Sequence, residues 1–297
     1  VSMIVIGRRH LTTVWCVALL GILVGCQSSP SERAAGSGTD VASLQATTGW
    51  VVSRVDAGGH MLNVNCRGGG SPAIVFENGL GDNLGTWFET GVAPAFPLVR
   101  TCAYDRVNTG TSDRVPTRHT GRDSVRELHK IMTVTATPAP RVLVGHSFGG
   151  LLAAMYAGTY PAAVTGLVLV DPSLPADVET YRLIPERERI SAMAQEERNP
   201  ERVDFFDTLR QAEVLVPKAV TIPVCVLAST RGGAVPPGWP AADVVAARKK
   251  ALREFTAQFP RGELRFVDSG HYIQTEQPKL VIGAIQRILE IARDSSR

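Results

Sequence analysis

With 297 residues and 31 Lys and Arg against 28 Asp and Glu, the chain can hold one large α/β domain or two smaller ones, at a net charge of +3. That charge is small and spread along the sequence. No Lys/Arg-rich block stands beside aromatics, which argues against a nucleic-acid partner, and no Cys/His spacing suggests a metal site, so no cofactor is expected.

Residues 1–25 are laid out as a secretory signal peptide. Arg8, Arg9 and His10 precede an apolar run at 14–24, shorter than the ~20 residues that span a bilayer as a helix. The run ends in Leu23-Val24-Gly25-Cys26, which resembles a bacterial lipobox. That resemblance implies an exported chain, lipid-anchored to the cell envelope through Cys26 and touching the membrane by this anchor only. Residues 26–48, rich in Ser, Gly, Ala and Thr without an apolar period, read as a flexible tether. Residues 49–297 then form one domain.

Its first strands are expected at 50–55 and 60–65, around the turn signal Asp56-Ala57-Gly58-Gly59, and at 73–77, which runs into Asn78-Gly79-Leu80-Gly81. A strand at 99–104 leads into Tyr104-Asp105-Arg106. Residues 120–134 have the spacing of an amphipathic helix, with Val125, Leu128, Ile131 and Met132 on one face, and Pro138 and Pro140 follow it. The continuous apolar run at 164–170 signals a strand buried on both faces of a parallel sheet. Residues 171–220 break the alternation with two charged helical stretches, 186–197 and 201–214, and read as a cap at about 172–220. A strand at 223–228, a Gly/Pro-rich loop, a helix at 241–258, a strand at 263–267 and a helix at 277–292 complete the pattern. The apolar face of that last helix is expected to include Leu280, Ile282, Ile285, Ile288 and Leu289.

The chemistry centres on residues 142–150, Val-Leu-Val-Gly-His-Ser-Phe-Gly-Gly, where a buried strand meets a helix through Gly-x-Ser-x-Gly. At such a nucleophile elbow a Cβ at Gly145 or Gly149 would collide with the neighbouring chain, so Ser147 is pushed out alone near a helix N-terminus.

Gly-His-Ser-Phe-Gly-Gly at 145–150, Tyr-Asp-Arg at 104–106 and Ser-Gly-His-Tyr-Ile-Gln at 269–274 together resemble the α/β-hydrolase superfamily over about residues 50–293. The resemblance implies a mostly parallel central sheet with helices on both faces and a small helical cap. It makes Ser147 the nucleophile and His271, after the last strand, the general base. The backbone N–H groups of Phe148 and Leu80 would form the oxyanion hole, with Gly81 as an alternative donor. His146 is read as packing, and Asp105 and Arg106 as structural. Asn108 replaces the first glycine of the Tyr-Asp-Arg-x-Gly-x-Gly-x-Ser segment, a place where positive φ is tolerable for Asn.

The acid is less plainly marked. Most of the superfamily places it after the strand at 223–228, yet Ser229-Thr230-Arg231-Gly232-Gly233-Ala234 has no carboxylate. Asp171, directly after the preceding strand in a Leu-Val-Asp-Pro setting like that of pancreatic-type lipases, is the first choice; Asp177, Glu179 and Asp243 remain alternatives. The activity implied is cleavage of small-molecule carboxylic esters through an acyl-enzyme. Thioesterase, amidase or cofactor-free peroxidase chemistry, or a non-catalytic surface binding role on the same scaffold, stay open. Epoxide hydrolases and dehalogenases carry an aspartate where Ser147 stands. In this sheet order Cys66 and Cys102 lie on neighbouring strands, and export favours a Cys66–Cys102 disulfide, leaving Cys225 as a buried free thiol.

Overall fold

The structure, a computed structural model, describes residues 49–216, 220–232, 235 and 238–294. The expected signal peptide, Cys26 and the tether lie outside the described residues.

Among the described residues, eight strands form one sheet in the order β1-β2-β4-β3-β5-β6-β7-β8. The hairpin of β1 (Val51–Asp56) and β2 (Met61–Arg67) adds antiparallel to β4 (Thr101–Tyr104). From β4 onward every pairing is parallel, through β3 (Ala73–Glu77), β5 (Arg141–His146), β6 (Val164–Val170), β7 (Val224–Ser229) and β8 (Gly262–Val267). The strands at 73–77 and 164–170 fall where the apolar runs place them.

Strand alternation divides those runs between two cores. Val75, Leu143, Leu167, Leu169 and Val226 face one side, with Leu128 of α2 (Gly121–Val134) and Leu151 of α3 (Phe148–Thr159). Ile74, Phe76, Val142, Val144, Val168 and Leu227 face the other, with Trp87 of α1 (Gly85–Glu89) and Ile285 of α9 (Pro278–Asp294). A half-polar strand could not fill both, which is why the central strands read as unbroken apolar stretches.

Between β6 and β7 lie α4 (Asp177–Arg182), α5 (Glu186–Glu197) and α6 (Phe205–Leu215). α5 has no buried residue, whereas α6 buries Phe205, Phe206 and Leu209, and Phe205 lies against Phe148 with ring centroids 6.0 Å apart. The expected helix at 201–214 therefore begins later, at Phe205, after the N-cap Asp204, which accepts from the Asp207 N–H at 2.9 Å. Alpha helices α7 (Ala241–Ala257) and α8 (Ile273–Glu276) flank β8.

The sequence pattern passes over the short helices α1, α4 and α8, which are too brief to show a period. The apolar stripe of α9 also differs from expectation. It runs through Val281, Ala284, Ile285, Ile288, Leu289 and Ala292, keeping the expected Ile285, Ile288 and Leu289, whereas Leu280 and Ile282 flank this i, i+3, i+4 series and are only partly buried.

Cys66 and Cys102 are directly opposite each other on β2 and β4 and are joined by a disulfide. At a sequence separation of 36, such a bridge contributes roughly 3–4 kcal/mol by restricting the unfolded chain. Cys225 is a buried free thiol, and burial pushes it up to about 11.

Candidate active site

All the parallel strands end on one edge of the sheet, and the loops that follow them carry the polar side chains of interest. At the end of β5 the chain turns through Ser147, whose φ of 53° and ψ of −121° place it in a strained region for a non-glycine residue. The turn is tied down by its backbone, with the Ser147 N–H donating to Val170 O at 3.0 Å and the Ser147 carbonyl accepting from Gly150 and Ser173, both at 2.9 Å. A Cβ at Gly145 would stand 2.4 Å from the Gly149 carbonyl oxygen, and one at Gly149 would stand 2.4 Å from that of Asn78. Between Arg141 and Gly150 only Ser147 is not buried. Crowded glycines on either side thus present one hydroxyl.

Asp171 follows β6 directly, beside the elbow, with φ 42°. Its Oδ2 lies 2.6 Å from His271 Nδ1. Ser229, at the end of β7, donates to the same carboxylate twice, from its N–H to Oδ1 at 3.0 Å and from its hydroxyl to Oδ2 at 2.8 Å. Burial acts to raise the Asp171 carboxyl. The hydrogen bond and charge of His271, with smaller contributions from Arg248 and the Ser229 N–H, outweigh it and hold the group below the ordinary carboxylate value.

The alternative carboxylates are engaged elsewhere. Asp177 accepts from the Leu174 N–H and pairs with Arg248 at 2.6 Å, Glu179 pairs with Arg182 on an exposed helix face, and Asp243 is exposed in the first turn of α7.

His271 is also held through its main chain. His146 Nε2 lies 3.1 Å from the His271 carbonyl oxygen, and the two rings stand 4.6 Å apart between centroids. The His146 ring packs on Tyr272 as well, whose hydroxyl donates to Asp82. His146 therefore does more than the packing expected of it. Burial lowers its pKa, so the neutral ring donates through Nε2. Among the described residues the Ser147 hydroxyl has no hydrogen-bond partner, so Ser147 and His271 share the same edge without being bonded to each other.

The loop after β3 is ordered from below. Arg106, fully buried, donates to Asn78 O at 2.7 Å and Gly79 O at 2.6 Å, to Glu201 at 2.6 and 2.9 Å, and to Glu77 at 3.2 Å. Asp105 accepts from the backbone N–H groups of Leu84 and Thr111. Asn108 sits at φ 66° and donates to Glu201 O at 2.9 Å, so the positive-φ turn is kept without the glycine. The Gly81 N–H is taken by Glu201 Oε1 at 2.6 Å, which removes it as an oxyanion donor. The Leu80 N–H has no acceptor among the described residues, and Phe148, the first residue of α3, has none within its own helix.

Sequence reasoning missed Glu201, Ser229 and Asp82 in this neighbourhood. Ser229 alone had a signal, standing where most of the superfamily keeps an acid. Glu201 is 95 residues from Arg106 and nothing local marks it.

The buried Glu77 carboxyl, which also accepts from the Tyr104 hydroxyl, is pushed up to about 7, with burial the largest cause and Arg106 opposing it. The folded protein therefore favours the protonated form over the unfolded chain, where the value is near 4.5. Stability from this group is full below about pH 4.5 and is lost as pH rises through about 7. Glu77→Gln, which mimics the protonated form, is expected to reduce that loss by up to roughly 3 kcal/mol in urea unfolding at pH 5 and pH 8. Equal losses in both proteins would contradict the assignment.

A family model described as alpha/beta hydrolase fold matches residues 72–214. The chain also superimposes on solved hydrolases: E-2-(acetamidomethylene)succinate hydrolase at a TM-score of 0.59 and 20% identity, over 82% of this chain and 100% of that one. A Vigna radiata epoxide hydrolase mutant gives 0.61 at 13% identity, over 81% and 98%. The chain has the α/β-hydrolase fold.

Among curated proteins, RutD of Cronobacter turicensis, a protein named for carbamate hydrolysis, is 33% identical over 124 residues, which is 41% of this chain and 45% of that protein. YqjL of Bacillus subtilis, uncharacterized by name, is 29% identical over 122 residues, 40% of this chain and 47% of its own length. The chain spans less than half the length of these curated relatives. Within the α/β-hydrolase frame, the final residue of β7, Ser229, supports the Asp171 carboxylate.

Proposed function

We propose that this protein is a serine hydrolase that cleaves carboxylic esters through an acyl-enzyme. The observation that carries the reading is the 2.6 Å pairing of Asp171 with His271 beside a serine held alone on a strained corner. Ser147 Oγ attacks the acyl carbonyl carbon while His271 Nε2 takes its proton, and Asp171 holds the Nδ1–H tautomer and stabilises the imidazolium. The N–H groups of Phe148 and Leu80 donate to the developing oxyanion, each worth roughly 3 kcal/mol in comparable sites. Collapse of the tetrahedral adduct breaks the ester C–O bond, and His271 gives the proton to the departing alcohol. Water, deprotonated by the same imidazole, then attacks the acyl-enzyme and releases the acid.

The helices between β6 and β7 act as the cap that shapes the substrate pocket. Relatives named for carbamate hydrolysis act on a carbonyl that the same machinery could attack, so esters are to be compared with thioesters, amides and carbamates in one panel of graded acyl length. Turnover of esters above the others, with a fluorophosphonate probe attached at Ser147, is expected. A folded protein that neither turns over any of them nor takes the probe would be a binding scaffold.

We also propose export and lipid anchoring at Cys26, on the lipobox-like Leu-Val-Gly-Cys alone. Palmitate labelling in a bacterial host is expected for the native chain and lost in Cys26→Ser; equal labelling of both would end that proposal.

A further inference from the structure

We propose that Glu201, which belongs to the segment between β6 and β7, is a positioning residue for the Leu80 amide, so that the oxyanion hole is complete only when that segment is docked. The inference rests on the acyl-transfer reading above.

Leu80 is flanked by two peptide planes, and both are held. The N–H of Leu80 shares its plane with the carbonyl of Gly79, and the two point in opposite directions. Arg106 Nη2 donates to that Gly79 oxygen at 2.6 Å, which aims the Leu80 N–H away from the guanidinium, and that N–H has no acceptor among the described residues. The following plane joins the Leu80 carbonyl to the Gly81 N–H, and Glu201 Oε1 accepts that N–H at 2.6 Å. The same carboxylate grips the guanidinium that holds the first plane, at 2.9 Å from Nε and 2.6 Å from Nη2. One side chain therefore sets the second plane directly and the first through Arg106.

Glu201 and Arg106 are both fully buried, so neither contact is exchanged readily for water. The backbone around Glu201 is fixed in turn. Its carbonyl accepts from Asn108 at 2.9 Å, and His119 bridges the next residues, donating from its N–H to Arg202 O at 3.3 Å and accepting from the Asp204 N–H at 2.8 Å. An oxyanion donor is useful only when it is already aimed before charge develops, and the clamp supplies that aim. The positive guanidinium behind the Gly79 carbonyl also polarises the peptide in the direction that favours an anion at the Leu80 N–H.

The test compares the native protein with Glu201→Gln and Glu201→Ala. Steady-state hydrolysis of a short p-nitrophenyl ester is measured beside binding of a trifluoromethyl ketone, whose hemiketal oxyanion needs the hole, and of a neutral amide isostere, which does not. Glu201→Ala is expected to lower kcat by about 10²-fold with KM within roughly twofold, and to weaken the ketone by a matching factor while leaving the amide unchanged. Glu201→Gln keeps an acceptor for the Gly81 N–H and should fall between the two; it decides the matter if the alanine variant does not fold. Folded variants with native kcat, or with ketone and amide binding weakened alike, would overturn the inference. Failure of the acyl-transfer reading looks different, since the native protein itself would then show neither turnover nor ketone binding dependent on Ser147.

Discussion

Ser147→Ala is expected to lower ester turnover by roughly 10⁴- to 10⁶-fold while leaving the protein folded. The chemistry loses its nucleophile, and no neighbour can replace it: the flanking residues 145, 146, 148 and 149 are buried. The fold loses little. The backbone bonds from the Ser147 N–H to Val170 and to its carbonyl from Gly150 and Ser173 do not involve the side chain, and alanine accepts the same φ of 53° at a cost close to that of serine. Kinetics and far-UV circular dichroism on one sample separate the two effects, and a folded variant with native turnover would remove Ser147 as nucleophile. Gly145→Ala should behave in the opposite way, because its new Cβ would stand 2.4 Å from the Gly149 carbonyl and the turn could not close.

Asp171→Asn is expected to cost about 10⁴-fold in kcat with little change in stability. The reason lies in the donors that surround the carboxylate. Ser229 presents an N–H to Oδ1, so the amide oxygen of an asparagine settles there and its NH₂ takes the place of Oδ2. That NH₂ faces the Ser229 hydroxyl, which can turn to accept, and His271 Nδ1, which must then accept as well. His271 is thereby locked with its proton on Nε2, the nitrogen that has to receive the proton of Ser147. The damage is to the tautomer. Asp243→Asn, on the exposed first turn of α7, serves as the comparison and should retain native kcat. Loss of rate in that variant with native rate in Asp171→Asn would transfer the acid role.

The elbow and the buried strands were readable because their causes are local. Gly145 and Gly149 are needed within one turn of chain, and the run at 164–170 is apolar because both faces of that strand are covered. Short helices such as α1 and α8 have no period to read, and Leu280 and Ile282 were read into the stripe of α9 because apolar side chains stand on both sides of its true face. The carboxylate that meets His271 stood between these cases. Asp171 was one of four carboxylates within reach of the pattern, and its partner Ser229 is 58 residues away.

By itself the sequence determined an α/β sheet with a serine at its sharpest corner and a histidine after its last strand, since glycine spacing and apolar runs are consequences of sterics and burial that act between near neighbours. Only the tertiary structure decided which carboxylate meets His271, that Gly81 is already occupied by Glu201, and that a single buried guanidinium orders the loop beside the elbow. Those choices depend on hydrogen-bond geometry between residues up to 120 positions apart, and charges or donors at that separation leave no local pattern until the chain has closed around them.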